Sequence, residues 1–311
     1  MPLDFRDAAF NGVYEIIAQD KDAMLLYNDM GAIGLDRIRA DYPKQVINMG
    51  IAEQNMMSVA SGLALAGKIV FTYGIIPHVT GRCYEQIKLD ICSMNLPVIN
   101  LGIGSGLSYG VDGPTHHAIQ DLAIMRALPG MTIYNPADAV TASACIRMAY
   151  QSRTPAYLRM DKDQHQAIYS PEHNFNNGIS TLLPGNRITL IATGIMTHQA
   201  LAAAKELVKD GIMVKVVDLF RIKPVNRDGL VQIIEDSEII VTIEEHIFYG
   251  GIGSLISELA EESGSKTIIK YLCLGEGTYL GSTSRKWAHE RYGLSTSAIC
   301  QTIIETCKER V

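Results

Sequence analysis

Short β-branched runs alternate with longer helical patterns, and they do so twice along this chain. In the first series, strands are read at 24–27, 45–48, 69–73, 97–101, 131–134 and 156–159. Helical patterns lie between them at 52–66, 79–92, 119–127 and 137–152. A polar stretch from Asp161 to Asn186, rich in Asn, Pro and Gly, interrupts the pattern. It then restarts, with strands at 188–192, 214–218, 238–244 and 267–272 and a closing helix at 295–310. Strand and helix at this spacing make βαβ units, and βαβ units make parallel sheets. The expected fold is therefore α/β in two domains, each a mainly parallel sheet covered by helices. The expected boundaries are 1–165, a linker at 166–186, and 187–311. A chain of 311 residues is long enough for both.

The composition narrows the function. With 47% hydrophobic and 19% charged residues the chain is not disordered. Its net charge of −6 and the lack of a basic block argue against nucleic acid or an anionic membrane surface as partner. No apolar run approaches the ~18 residues of a membrane span. The six cysteines form no C-x-x-C pair, and no His or Cys pair has zinc-ligand spacing, so reduced thiols in a cytoplasmic protein without a metal site of its own are expected.

Two motifs mislead. Gly62-x4-Gly67-Lys68 spells most of a phosphate loop, but Ile69 follows where a Mg²⁺-binding hydroxyl is required, and the segment runs from helix into strand. It reads instead as a helix C-terminus capped by Gly67. Gly106-Leu107-Ser108-Tyr109-Gly110 matches a hydrolase elbow, but Gly110, Gly113 and Pro114 prevent the helix that must follow the serine.

The informative residues are spread over two loops. Glu53, in Gly50-Ile51-Ala52-Glu53-Gln54, stands where a strand turns into a helix. Alone, it would be a charge complementing the helix dipole. Sixty residues on, Asp112-Gly113-Pro114-Thr115-His116-His117 occupies a loop after the central buried strand, where parallel sheets carry ligands. An acid, two imidazoles and a rigid Gly-Pro turn form a candidate polar substrate site.

With Ile124 to Met131, Pro136-Ala137-Asp138 and Pro155 to Arg159, these segments resemble the transketolase family and, equally, the pyrimidine-binding domain of 1-deoxyxylulose-5-phosphate synthase. Ile191-Ala192-Thr193-Gly194, Glu244-Glu245-His246 and Gly250-Gly251-Ile252-Gly253 are similar to the family's C-terminal domain. The resemblance implies a thiamine diphosphate site shared between subunits. Glu53 would bond the aminopyrimidine and exchange a proton with it, activating the thiazolium carbon that acts as electron sink. Asp112 and His116 would bind substrate oxygens, and His116 would also assist proton transfer.

The family holds the diphosphate and Mg²⁺ with a Gly-Asp-Gly motif, which does not occur in these 311 residues. The resemblance thus implies the C-terminal subunit of a split transketolase, paired with a Gly-Asp-Gly partner in a heterotetramer. The expected reaction moves a two-carbon ketol unit from a ketose to an aldose. A synthase-like or other ketose-handling thiamine enzyme is the alternative, and a non-catalytic assembly subunit the alternative of another class. Departures from the family pattern bear on substrate choice. Ile75 and His78 fall where the family places pyrimidine-contacting phenylalanines, with Phe71 and Tyr73 as alternatives in register. Ile33 falls where a phosphate-binding serine is usual, and Lys162 where an arginine is usual. Arg6 and Arg82 are further candidate anion contacts.

Overall fold

The structure, a computed structural model, describes residues 5–275 and 281–308. The first sheet collects β1 (Ala23–Tyr27), β2 (Val46–Asn48), β3 (Ile69–Ile75), β4 (Val98–Ile103), β5 (Thr132–Tyr134) and β6 (Ala156–Met160). The second collects β7 (Ile179–Leu183), β8 (Ile188–Ala192) and β9 (Val214–Leu219), with β11 (Ile239–Ile247) and β12 (Ile268–Leu274). Between them in sequence, β10 (Arg221–Lys223) leaves the second domain and pairs antiparallel with β5. The strand orders are β10-β5-β6-β4-β3-β1-β2 and β12-β11-β8-β9-β7. Among the strands of the described residues, only β10 and β7 run antiparallel to their neighbours. The fold is therefore two mainly parallel sheets flanked by helices.

The central strands are mostly apolar because a parallel sheet is covered on both faces, and their buried polar pair, Thr72 and Asn100, is satisfied by a hydrogen bond at 3.1 Å. Val70, Phe71 and Tyr73 of β3 and Ile99, Leu101 and Ile103 of β4 are at most 1% exposed. Each contributes about 1.5–3 kcal/mol by burial. That rigidity fixes the strand ends from which the site loops depart. Phe71 and Tyr73 are spent in this core and present no ring to a ligand.

Inside the polar stretch, Ile179–Leu183 pairs antiparallel with β9 and forms an edge of the second sheet. An edge strand needs only one apolar face, so five residues among Asn, Gly and Ser suffice. The two domains also share packing. One core cluster joins Leu26, Met56 and Ile76 of the first half to Ile191, Leu219 and Ile256 of the second. The closing helix is described from Thr296 to Lys308; Arg310 lies outside the described residues.

The phosphate-loop lookalike is a helix end. Helix Glu53–Leu65 stops before Gly67, whose φ is +92°, and Lys68 donates to Asp22 at 2.7 Å.

Candidate active site

The parallel sheet sends successive loops to one edge. The helix start after β2 carries Glu53, the end of β3 and the segment after it carry Ile75 to Arg82, the loop after β4 carries Tyr109 to His116, and the chain after β6 carries Lys162. The carboxyl ends of parallel strands are where such folds place ligands.

Glu53 is fixed by a local turn. Gly50 takes a left-handed φ of +67°, its N–H donates to Asn48 Oδ1, and its carbonyl accepts from Asn28 Nδ2 at 2.9 Å. The helix then starts at Glu53, because Met56, Met57, Ala60 and Ala64 supply a buried stripe at helical spacing. Glu53 is 5% exposed. Arg82 donates to its Oε2 at 3.0 Å, and His78 Nδ1 lies 3.9 Å from its Oε1. Gln54 holds the Arg82 carbonyl at 3.1 Å, which locks the two loops together.

His78 sits on a one-turn helix, Ile76–Val79, pressed against the end of β3. The close approach requires Gly74, where a Cβ would lie 2.4 Å from Val79. Burial, then the neighbouring Arg82 charge, holds the His78 imidazole below its ordinary value. It is therefore neutral near pH 7. Its ring meets that of His116 edge-on at 5.5 Å, and His116 meets Tyr109 at 5.7 Å. Thr115 Oγ1 lies 2.8 Å from His116 Nδ1 and orients that ring. Lys162 Nζ lies over the Tyr109 ring at 4.3 Å. A continuous string runs from Glu53 through His78, His116 and Tyr109 to Lys162.

Asp112 is exposed at the end of the short turn Gly110–Asp112. Ile75, half-buried, closes β3 beside His78. Arg82 lies against Glu53 itself. Arg6 lies elsewhere: it is next to Phe5, whose ring meets His165 at 5.7 Å and packs in the second domain's core. Sequence reasoning missed the Arg82–Glu53 pair and Tyr109. The pair has no motif and Tyr109 stands only in the misleading elbow match, since both roles depend on loops meeting across strands.

The second domain braces this edge. Glu245 Oε2 accepts from Leu107 N–H at 3.0 Å, Thr283 N–H donates to the Gly110 carbonyl, and Arg159 donates to the carbonyls of Ala118 and Glu245. Behind it lies a buried charge hub. Arg285 donates to Asp161 at 2.6 Å and to Glu245 at 2.7 Å, and His289 lies 2.5 Å from Glu245. Burial pushes Glu245 up, but Arg285 and His289 outweigh it and hold it at about 2. Asp161 is held lower still, mainly by Arg285 against its burial. Asp161, Asp163 and His165 bring ligand atoms within 4.8 Å of one another, but the cation seated on both carboxylates is Arg285. Ser108 of the elbow lookalike is 7% exposed and donates to Asp161, so it is a strut rather than a nucleophile. In the Glu-Glu-His run, Glu244 accepts from the N–H groups of Ile252 and Gly253 and caps the helix Ile252–Ser263.

Residues 1–166 match the family description "Transketolase, pyrimidine binding domain", and residues 179–299 match "Transketolase, C-terminal domain". The chain is 33% identical over 298 residues, 95% of each protein, to an apulose-4-phosphate transketolase subunit of Phocaeicola vulgatus. It is 30% identical over 310 residues, 98% of this chain and 95% of the other, to a 6-deoxy-6-sulfo-D-fructose transketolase subunit of Clostridium sp.. A solved structure described as a split gene transketolase, inactive beta4 tetramer, superposes with TM-score 0.88 at 31% identity, covering 98% of both chains. The chain belongs to the transketolase family, whose members depend on thiamine diphosphate, and it is a C-terminal subunit of transketolase type. Among the described residues no helix is long and apolar enough to cross a membrane.

Proposed function

We propose that this chain supplies the pyrimidine-side half of a two-carbon ketol transfer site, taking the unit from a ketose and passing it to an aldose. The observation that carries the reading is Glu53: a carboxylate 5% exposed at a helix start, within reach of a neutral imidazole. Such a group fits the aminopyrimidine end of thiamine diphosphate, where one carboxyl oxygen can exchange a proton with a ring nitrogen. The bound cofactor would supply an activated thiazolium carbon that adds to the ketose carbonyl and holds the electrons released when the carbon–carbon bond breaks.

This chain's residues then do the rest. Glu53 holds or releases the proton at the pyrimidine, and Arg82 orients the carboxylate. Ile75 and His78 pack against the ring. His116 moves protons to and from substrate oxygens, while Asp112 binds a hydroxyl. Lys162 lies at the far end of the string, where it would meet an anionic group. The names of two relatives point the same way, since a 4-phosphate and a 6-sulfo sugar both carry one. Arg6 is carried as a further anion contact on the resemblance alone.

The diphosphate and Mg²⁺ would be held by a separate subunit carrying Gly-Asp-Gly, in a heterotetramer in the cytoplasm. The naming of the relatives as subunits and the split-gene neighbour, itself a tetramer, support a separate partner subunit. Calorimetry tests it: thiamine diphosphate with Mg²⁺ should bind weakly or not at all to this chain and tightly once the partner is added. Tight Mg²⁺-dependent binding to this chain alone would sink the shared-site reading.

A further inference from the structure

We propose that His117, the second imidazole of the site loop, is a positioning residue for the transfer reaction: together with a strap from the second domain it pins the Gly110 carbonyl, and that tie sets where Asp112 and His116 stand. The inference rests on the ketol-transfer reading above and deepens it.

The two neighbouring histidines have unlike surroundings. His116 is half-buried between the rings of His78 and Tyr109, whereas His117 is 4% exposed. Burial holds the His117 imidazole below its ordinary value, so it is neutral near pH 7. Its Nε2 lies 3.2 Å from the Gly110 carbonyl oxygen, which can only accept, so Nε2 carries the hydrogen. A buried neutral ring with that nitrogen committed to backbone is a fixed donor, not a proton carrier. The two imidazoles of the motif thus divide the work, His116 taking the chemistry and His117 the geometry.

The construction of the loop shows what the tie holds. Its base is closed by two backbone bonds between Gly106 and Ala118, at 3.0 and 2.9 Å. Above that base, Val111, Asp112, Pro114 and Thr115 are exposed, and they and His116 all lie between Gly110 and His117. The bond across the loop from His117 to Gly110 therefore sets how that apex is folded. The second domain grips the same point. Thr283 N–H donates to the Gly110 carbonyl at 3.0 Å, and Ser282 Oγ donates to the Val111 carbonyl. A Cβ on Gly110 would lie 2.4 Å from the Thr283 carbonyl oxygen, so only bare backbone lets the strap lie this close. Arg285, two residues on, anchors the strap to Asp161 and Glu245, and Glu245 holds the Leu107 N–H near the loop's base. His117 and the strap thus join the apex that carries Asp112 and His116 to the buried hub.

The test uses this chain assembled with its diphosphate-domain partner, thiamine diphosphate and Mg²⁺. His117→Leu removes the donor and keeps an apolar filling, and the Gly110 carbonyl retains the N–H groups of Thr283 and Gly113, so it is not orphaned. Misplacing a reacting group by about 1 Å costs about 100-fold in rate, so kcat/KM for two-carbon transfer from a ketose should fall about ten- to hundredfold. Part of the loss should appear in kcat, because His116 shifts together with Asp112. Thiamine diphosphate affinity should hold, since Glu53, Ile75 and His78 stand on other segments. His117→Gln restores a side-chain N–H and should return kcat/KM to within a few-fold of wild type. An unchanged kcat/KM in His117→Leu overturns the proposal. So does a cofactor affinity that falls by the same factor, or a glutamine variant as slow as the leucine one. If His117→Leu does not fold, the exposed Ser282 decides: Ser282→Ala should lower kcat/KM about fivefold at an unchanged unfolding midpoint, and an unchanged rate overturns the tie. If the wild-type complex transfers no two-carbon unit, the reaction reading itself fails. The tie is then judged by NMR of the same complex, where His116 ring resonances unmoved by His117→Leu overturn it.

Discussion

Two of the places where charged residues meet in this molecule are built on opposite plans. In the hub between the domains, Arg285 donates to Asp161, Asp163 and Glu245, Ser105 and Ser108 add to Asp161, and His289 and the Leu107 N–H add to Glu245. Every charge there is answered inside the chain. At the edge of the first sheet, Glu53 is also buried, yet Arg82, its closest partner, is half-exposed, and the rings of His78 and His116 follow outward from it, edge to face. Burying charge is costly, so a saturated cluster is a structural lock, while a sparsely paired one is tolerated where chemistry requires it.

The comparison predicts different losses when each place is broken. The largest belongs to Glu53→Gln. Glutamine keeps the length and one hydrogen bond but cannot exchange the acid proton. Turnover of the assembled enzyme should fall about 10²–10⁴-fold, with an unchanged unfolding curve. A fall of only a few-fold would reduce Glu53 to a charge at a helix end. Arg285→Met should do the reverse, leaving Asp161 and Glu245 buried without their cation. It should cost about 3–5 kcal/mol of stability, read from urea unfolding of the chain. A midpoint within error of wild type would mean that the hub locks nothing.

Acid sharpens the same contrast. Glu245 titrates at about 2 in the folded chain, below its ordinary 4.5, and Asp161 is depressed as well. A depressed folded value means that the stabilisation is full above the unfolded value and is lost as pH falls toward the folded one. Unfolding free energy should therefore drop between about pH 4.5 and pH 2, and Glu245→Gln should flatten that slope. An equally steep slope in the variant would place the acid-labile groups elsewhere.

These differences also explain what could be read without a structure. The strands stand out because a doubly covered sheet demands β-branched runs, as in β3 and β4. Helix Ile33–Asp41 does not, since it opens on an 81%-exposed isoleucine and four of its nine residues, Asp36, Arg37, Arg39 and Asp41, are charged. β10 is three residues whose only reason to be extended is β5, far away in sequence. At the site, Glu53, Asp112 and His116 were legible because each sits in a compact motif beside a strand end. The Arg82–Glu53 pair spans 29 residues and the Tyr109–Lys162 contact 53. No local pattern encodes such meetings; the parallel sheet creates them by bringing successive loops to one edge.

The smallest expected effect is the most discriminating, because it asks whether the open string is tuned residue by residue. His78 is neutral near pH 7, held so by burial and by Arg82, and it touches both Glu53 and His116. If the pyrimidine rests on it, His78→Phe exchanges one ring for a larger one. Aromatic contacts of this kind are worth about 0.5–1.5 kcal/mol beyond area burial, so cofactor affinity in the assembled enzyme should hold or tighten up to about tenfold. Turnover should nevertheless fall, because a phenyl ring neither donates nor accepts the hydrogen bonds that imidazole does. That split outcome would assign the histidine to the substrate as well as to the cofactor. Unchanged affinity and unchanged turnover would make His78 a neutral occupant of the string. His78→Ala separates the remaining case: cofactor affinity untouched by removal of the ring would place the stacking contact elsewhere. Phe71 and Tyr73 cannot supply it, since both are sealed in the β3 core, and half-buried Ile75 would then be the residue left at that strand end.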